Sequence, residues 1–254
     1  HYWKAVENVE RLALNSESID LGWEGRRAYK MDLSSIGYRI KLFYVPFAII
    51  YVFVLHQYEC ELFDQVVKVK EGNVVIDAGG CYGDTALYFA HEVGKSGRVY
   101  SFEFLPENLA IFEQNMSLNP DLSQRINLVK MPLWSKSGEQ LFVEGSGPGT
   151  RVSPKASRPD ATRLETLTID DTVRNEKLDR VDLIKMDIEG AELESLRGAE
   201  KTIRQFRPKL AISVYHKFND LWEIPQYIDS LGLGYRFALR HFTIHAEETV
   251  LFAY

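Results

Sequence analysis

From Val74 onward, short apolar runs alternate with segments whose apolar positions recur at helical spacing. Val74–Asp77 predicts a strand. Thr85–Val93 predicts a helix, with Ala86, Phe89, Ala90 and Val93 on one face and Gly94 as its stop. Val99–Phe104 predicts the next strand; Pro106 suits a first helical position, and Leu109, Phe112 and Met116 stripe that helix. Ile126–Met131, Val181–Met186 and Lys209–Tyr215 predict three further strands. Leu193, Leu196 and Ile203 stripe the helical region after Met186, and Ile224, Ile228 and Leu231 mark another helix. Tyr235–Leu239 and Thr249–Tyr254 read as two closing strands. Strands alternating with helices imply right-handed crossovers and an α/β fold with a mostly parallel sheet. The two final strands are adjacent, which predicts an antiparallel edge hairpin.

Two regions break this rhythm. Residues 1 to 35 read as short helices and loops, with Gly22 and Gly25 as breakers. Leu42–Leu55 is the most apolar stretch. It carries Pro46 and is short for a bilayer span, so it reads as a buried strand and turn, with membrane association as the other reading. A helix is expected to follow through Phe63 and Val67. Residues 1–60 are thus expected to form an N-terminal helical and β extension packed on a main domain of residues 61–254. Between Pro132 and Thr168, Gln140–Glu144 reads as a short strand and Gly145–Pro154 as a loop or lid, with Arg151 available to an acidic ligand.

The chain has 254 residues, net charge −6 and 45% hydrophobic content, enough for a substantial core without a global basic field. Nucleic acid is therefore not an expected partner. Cys60 and Cys81 are too few for a disulfide framework, and no transmembrane span or leader is visible, so a cytoplasmic setting is the expectation. The start at His1 reads as a piece of a longer or processed protein, of open oligomeric state.

The chemistry begins at VVIDAGGCYGDTALYFA, Val74–Ala90. Asp77, Gly79 and Gly83 give D-x-G-x-x-x-G. This is neither the G-x-G-x-x-G of dinucleotide folds nor a phosphate loop with its lysine, which counts against NAD and ATP. Glycines let backbone approach a ligand, and the helix start offers free N–H groups. Asp77 can pair with an ammonium group, directly or through water. Glu103, at the end of the second strand, can accept from both hydroxyls of a ribose. A nucleotide carrying an amino acid, S-adenosylmethionine, meets these demands together.

With these residues, the chain resembles the FkbM family of S-adenosylmethionine-dependent methyltransferases. The matching blocks are the Val74–Ala90 stretch, VYSFEFLPENLAIFEQN, LTIDDTV, VDLIKMDIEGAELESLRGA, RPKLAISVYHKFNDLWEIPQYI and ETVLFAY. The resemblance implies a Rossmann-like class I methyltransferase fold with a seven-stranded sheet, and O-methylation of sugar, glycan or polyketide-type hydroxyls. It carries Asp77, Gly79 and Gly83 onto the first cofactor motif, and Glu103 and Asn108 onto the second. The expected cofactor contacts are Asp77, Gly79, Gly80, Cys81, Tyr82, Gly83, Asp84, Thr85, Glu103, Phe104, Asn108 and Asp187. Chain topology adds Pro132 and Leu133 beside the adenine.

For transfer itself, KMDIEGAE brings Lys185, Asp187 and Glu189 to the end of the fourth strand, and VYHK brings His216 to its neighbour. A histidine is a suitable base for removing a hydroxyl proton, so His216 is the first candidate, with Asp187 or Glu189 orienting it. A salt bridge at Lys185 and a capping acid are the plainer reading. A divalent cation such as Mg²⁺, held by Asp187, Glu189 and His216, is the competing mechanism. Trp134, Tyr215 and Trp222 are candidate sugar-stacking faces, and His241, expected in the last loop, a candidate pocket residue. A non-catalytic cofactor-binding or scaffold domain of a larger assembly stands as the alternative function.

Overall fold

The computed structural model describes residues 2–22, 25–62, 65–145, 149–156, 161–243 and 247–254. The chain opens with helix α1 (Tyr2–Ala13) and three antiparallel strands, β1 (Ser18–Asp20), β2 (Arg27–Asp32) and β3 (Lys41–Tyr44). Next comes α2 (Pro46–Ile49), which runs on as a π-helical turn over Ile50–Val54. Pro46 takes the first helical position, where its missing N–H costs nothing. That places helix where a strand and turn were expected over much of Leu42–Leu55. Strands β4 (Cys60–Leu62) and β5 (Gln65–Val67) then pair antiparallel, Cys60 opposite Val67, in place of the expected helix. Phe63 itself lies outside the described residues. β-Branched Val66 and Val67 favour the extended ladder over a helical stripe.

The repeating part follows. It runs β6 (Val74–Ala78), α3 (Asp84–Glu92), β7 (Arg98–Phe102), α4 (Pro106–Ser117), α5 (Pro120–Ser123) and β8 (Ile126–Val129). A small antiparallel sheet interrupts it, with β9 (Gln140–Glu144) between β10 (Arg151–Ser153) and β11 (Arg163–Glu165). The expected Gly145–Pro154 loop is therefore partly strand; residues 146–148 lie outside the described residues. The chain continues through α6 (Ile169–Asn175), β12 (Leu183–Met186), α7 (Glu192–Arg197), α8 (Glu200–Phe206), β13 (Lys209–Ser213) and α9 (Asp220–Ser230). It ends with β14 (Phe237–His241) and β15 (Thr249–Ala253).

The main sheet has seven strands in the order β14-β15-β13-β12-β6-β7-β8. Ladders among β13, β12, β6, β7 and β8 are parallel; β15 pairs antiparallel with both β13 and β14. Alternate residues of its strands enter two apolar layers. Ile76, Ile184 and Ile212 pack with Ile203, Ile224 and Ile228 of the later helices. Val75, Leu183 and Ala211 face the other way, toward Leu87 and Phe89 of α3. Met31, Leu33, Ile40, Leu42, Ile49 and Phe53 belong to that same second cluster, so the N-terminal segment shares the core of the sheet.

Two asparagines fasten this cover. Asn115 is fully buried; its side chain accepts from the Phe43 N–H (2.7 Å) and donates to the carbonyls of Phe43 (3.0 Å) and Tyr82 (2.8 Å). Asn119 exchanges the same kind of pair with Lys41, at 2.9 and 2.6 Å. Among the described residues, no helix is long and apolar enough to cross a membrane.

Candidate active site

The strand order reverses direction between β6 and β12, since β7 and β8 lie on one side and β12 and β13 on the other. Ligands of open α/β sheets bind beyond the strand ends at such a point. A cavity of about 260 Å³ opens there.

On the β6 side, Gly79 adopts φ +89°, and a Cβ on it would lie 1.9 Å from the Asp187 carbonyl oxygen. Only glycine fits so close to the neighbouring strand. Gly83 is left-handed too (φ +85°) and caps α3, where Asp84 and Thr85 begin the helix. Asp77 is fully buried. It accepts from Thr85 Oγ1 (3.0 Å) and Ser101 Oγ (2.7 Å), and its ammonium partner is Lys185 Nζ at 3.1 Å. The register pairs these two residues across β6 and β12. The expectation that Asp77 meets a ligand ammonium is thereby corrected, because the protein supplies that cation itself. Lys185 also donates to the carbonyls of Ala78 (3.1 Å) and Gly79 (2.7 Å). Burial opposes its charge, yet Asp77 and Asp187 hold its pKa above the usual value. Lys185 fixes the glycine turn as a permanent cation rather than acting as a base.

Glu103 follows β7. Its Oε1 accepts from the N–H groups of Phe104 (2.6 Å) and Leu105 (2.8 Å), and Oε2 from Asn108 Nδ2 (3.0 Å). Burial pushes its pKa up despite these bonds. Asn108 Oδ1 is buried with no hydrogen-bond partner, an acceptor left for a ligand hydroxyl or amine. Of the expected cofactor contacts, Gly79, Cys81, Tyr82, Asp84, Thr85, Glu103, Phe104, Asn108, Pro132, Leu133 and Asp187 line the cavity. Asp77, Gly80 and Gly83 stand behind its wall.

The other wall gathers distant segments. Asp187 accepts from Tyr58 (2.9 Å) and Tyr215 (3.0 Å). Burial would raise its pKa, but His216 and Lys185 hold it below the carboxylate norm. His216 does not line the cavity, and its side chain is 4% exposed. Its Nε2 lies 3.4 Å from Asp187 and 3.5 Å from Glu189, and its Nδ1 lies 2.8 Å from Glu192. These contacts lie off the ring N–H directions, so the attraction is chiefly ionic. Burial alone would lower its pKa; Glu189, Glu192 and Asp187 raise it to about 11. An imidazolium has no lone pair to give, so His216 is not placed as the general base.

The expected metal set changes as well. The described donor atoms that converge within 4.8 Å belong to Asp187, Glu192 and His216, not to Glu189. In the protonated state His216 already supplies positive charge among these acids. Trp134 and Trp222 do not line the cavity, whereas Tyr215 does. His241 ends β14 instead of sitting in a loop, and faces Thr249 Oγ1 at 2.8 Å.

The sequence profile described as the methyltransferase FkbM domain matches residues 77–237. The chain belongs to the FkbM methyltransferase family. A solved FkbM methyltransferase from Methylobacillus flagellatus is 27% identical with a TM-score of 0.59, over 74% of this chain and 44% of its own. Protein-L-isoaspartate O-methyltransferase of Methanothrix thermoacetophila is 34% identical over 101 residues, 40% of this chain and 42% of that protein. This FkbM chain thus aligns with under half the length of either. Aeropyrum pernix fibrillarin, solved with natively bound S-adenosyl-L-methionine, shares the fold at 14% identity and TM-score 0.50, over 93% of both chains. The fold is that of the class I, Rossmann-like methyltransferases.

Part of the cavity wall of this FkbM chain lies outside the family match. Tyr44, Phe47, Tyr51, Gln57 and Tyr58 precede residue 77, and Glu248 follows residue 237. Sequence reading assigned none of them. Glu248 sits at φ +63° just before β15 and accepts a short hydrogen bond from Gln57 Nε2. Burial and nearby Asp187 push its pKa up to about 8. Its position inside ETVLFAY was the one available signal.

Proposed function

We propose that this chain is an S-adenosylmethionine-dependent O-methyltransferase acting on a hydroxyl of a sugar, glycan or related natural-product acceptor. The observation that carries the reading is the division of one cavity. A glycine turn and an oriented Glu103 stand on one wall, and aromatic rings with half-buried carboxyls on the other. The residues present fit the cofactor: Gly79 leaves room for close backbone approach, and Asn108 Oδ1 and Glu103 offer acceptors to a ribose. Bound there, S-adenosylmethionine supplies an electrophilic sulfonium methyl.

The chain's own part is to hold the hydroxyl in line, exclude water and take its proton. Alignment alone can supply a large share of the acceleration. Buried Tyr58 and half-buried Tyr215, both donors to Asp187, fix that carboxylate at the transfer point. Glu248 replaces His216 as the proton acceptor, because a carboxyl titrating near 8 lies close to the working pH. The acidic wall also opposes a carboxylate acceptor of the kind named for the isoaspartate relative.

A calorimetric titration with S-adenosylmethionine and with NAD, followed by a labelled-methyl screen of sugars, nucleotide sugars and glycan fragments, tests the reading. Binding of S-adenosylmethionine and label on a hydroxyl are expected. Binding of NAD alone would overturn it.

A further inference from the structure

The charge on the cavity wall is one-sided. Among its described residues the acids are Asp84, Glu103, Asp187, Glu189 and Glu248, and the single basic residue is Lys185. Lys185 is already matched by Asp77 and two carbonyls. His216, behind the wall, is shared by Asp187, Glu189 and Glu192. Arg151 brings no relief. Thr150 and Val152 line the cavity, while exposed Arg151 alternates to the other face of β10. The lining also carries the aromatic rings of Tyr44, Phe47, Tyr51 and Tyr58, with Tyr44 edge-on to Tyr82 of the glycine turn.

We propose that the acceptor is an amine-bearing polyhydroxy compound of the amino-sugar type, and that phosphorylated or nucleotide-linked sugars are rejected. This rests on the methyl-transfer reading and names the substrate class of the same site. A phosphate would enter a low-dielectric space among carboxyls with no free cation among the described lining residues to meet it. An ammonium finds carboxylates to pair with and aromatic faces that attract cations. Protonated nitrogen has no lone pair, so the methyl goes to a hydroxyl oxygen of such a compound. That oxygen forms the new C–O bond, the sulfur keeps the S–C pair, and the proton leaves to Glu248.

The titration state of the wall agrees with this. Burial first, then nearby acids, raises Glu248 to about 8 and Asp84 to about 7. Tyr44, Tyr58, Asp187 and Tyr215 face Glu248, with Lys185 and His216 also within its field. An arriving ammonium lowers the pKa of Glu248, so it ionises the very group that accepts the proton.

The test is calorimetry on the whole chain at pH 6.5. S-adenosylmethionine is titrated first, then three probes into protein saturated with S-adenosylhomocysteine: methyl β-glucosaminide, methyl β-glucoside and UDP-glucose. The glucosaminide is expected to bind about tenfold more tightly than the glucoside. Its preference should shrink in high salt and in Glu248→Gln, and UDP-glucose should not bind. Binding of UDP-glucose as tight as that of the glucosaminide, equal affinity for the two glycosides, or no binding of either glycoside overturns the inference. Failure of S-adenosylmethionine itself to bind would instead overturn the function on which it rests.

Discussion

The two walls of the cavity differ in how far the chain must travel to build them. The cofactor wall draws mainly on two compact stretches, Gly79–Thr85 and Glu103–Asn108, each following one strand of a parallel pair. The opposite wall joins Tyr58, Asp187, Tyr215 and Glu248 from four separate segments. Close spacing lets local geometry set the first: glycine conformations, a helix start and a strand-end acid. The second depends on long-range packing, through Gln57 on Glu248 and through Tyr58 and Tyr215 on Asp187. It follows that the two walls should fail separately when altered.

The largest expected effect is at His216, which holds the acids behind the second wall. His216→Gln leaves Glu192 without its cation and Asp187 with Lys185 alone, at a cost of about 3–5 kcal/mol near neutral pH. The folded pKa, about 11, exceeds the ordinary imidazole value of 6.5. The stabilisation is therefore fully present below 6.5 and is lost as pH rises through about 11. Urea unfolding at pH 6, 8 and 10 should show wild-type stability falling and the variant curve flatter. An unchanged slope in the variant would refute the imidazolium assignment.

A smaller effect separates the walls directly. Gln57→Ala takes away the hydrogen-bond donor of Glu248, costing about 1–3 kcal/mol and loosening that end of the acceptor wall. Saccharide affinity should fall while S-adenosylmethionine affinity changes little. Glu103→Gln should do the reverse, weakening S-adenosylmethionine about tenfold and sparing saccharide binding. Calorimetry on both variants checks the contrast, and a joint loss in both would erase it.

Legibility in the sequence follows the same division. All seven strands of the main sheet were expected, and β6 ends within one residue of its expected limit, because buried parallel strands are short apolar runs. Of the N-terminal sheet, β3 falls at the start of the strand expected from Leu42, whereas β1 and β2 were missed: β1 has three residues, too short for a clear alternation, and Gly22 and Gly25 suggested loops. Leu42–Leu55 is apolar in either conformation, so the choice falls to Pro46 and to packing. The carboxylate and histidine at the ends of β12 and β13 were recognised as a cluster. Their protonation was not, since the pKa of His216 depends on Glu192 one helix start away and fully buried. Glu248 went unassigned because Gln57, its partner, is 191 residues distant.

The smallest expected effect falls on Arg151, the residue that sequence reading offered to an acidic acceptor. Strand β10 pairs Arg151 with Glu144 and Val152 with Val143, and period-two alternation sends neighbouring side chains to opposite faces. Val152 reaches the cavity and Arg151 is exposed. Arg151→Ala should therefore change stability by no more than about 0.5 kcal/mol and leave the preference among charged and neutral saccharides as it was. Val152→Arg, one residue away, places a cation against the acidic wall and should weaken glucosaminide binding while admitting UDP-glucose. If Arg151→Ala alone shifts that preference, β10 swings its other face inward when ligand binds, and the acceptor wall is not the one-signed surface that the carboxyls make it.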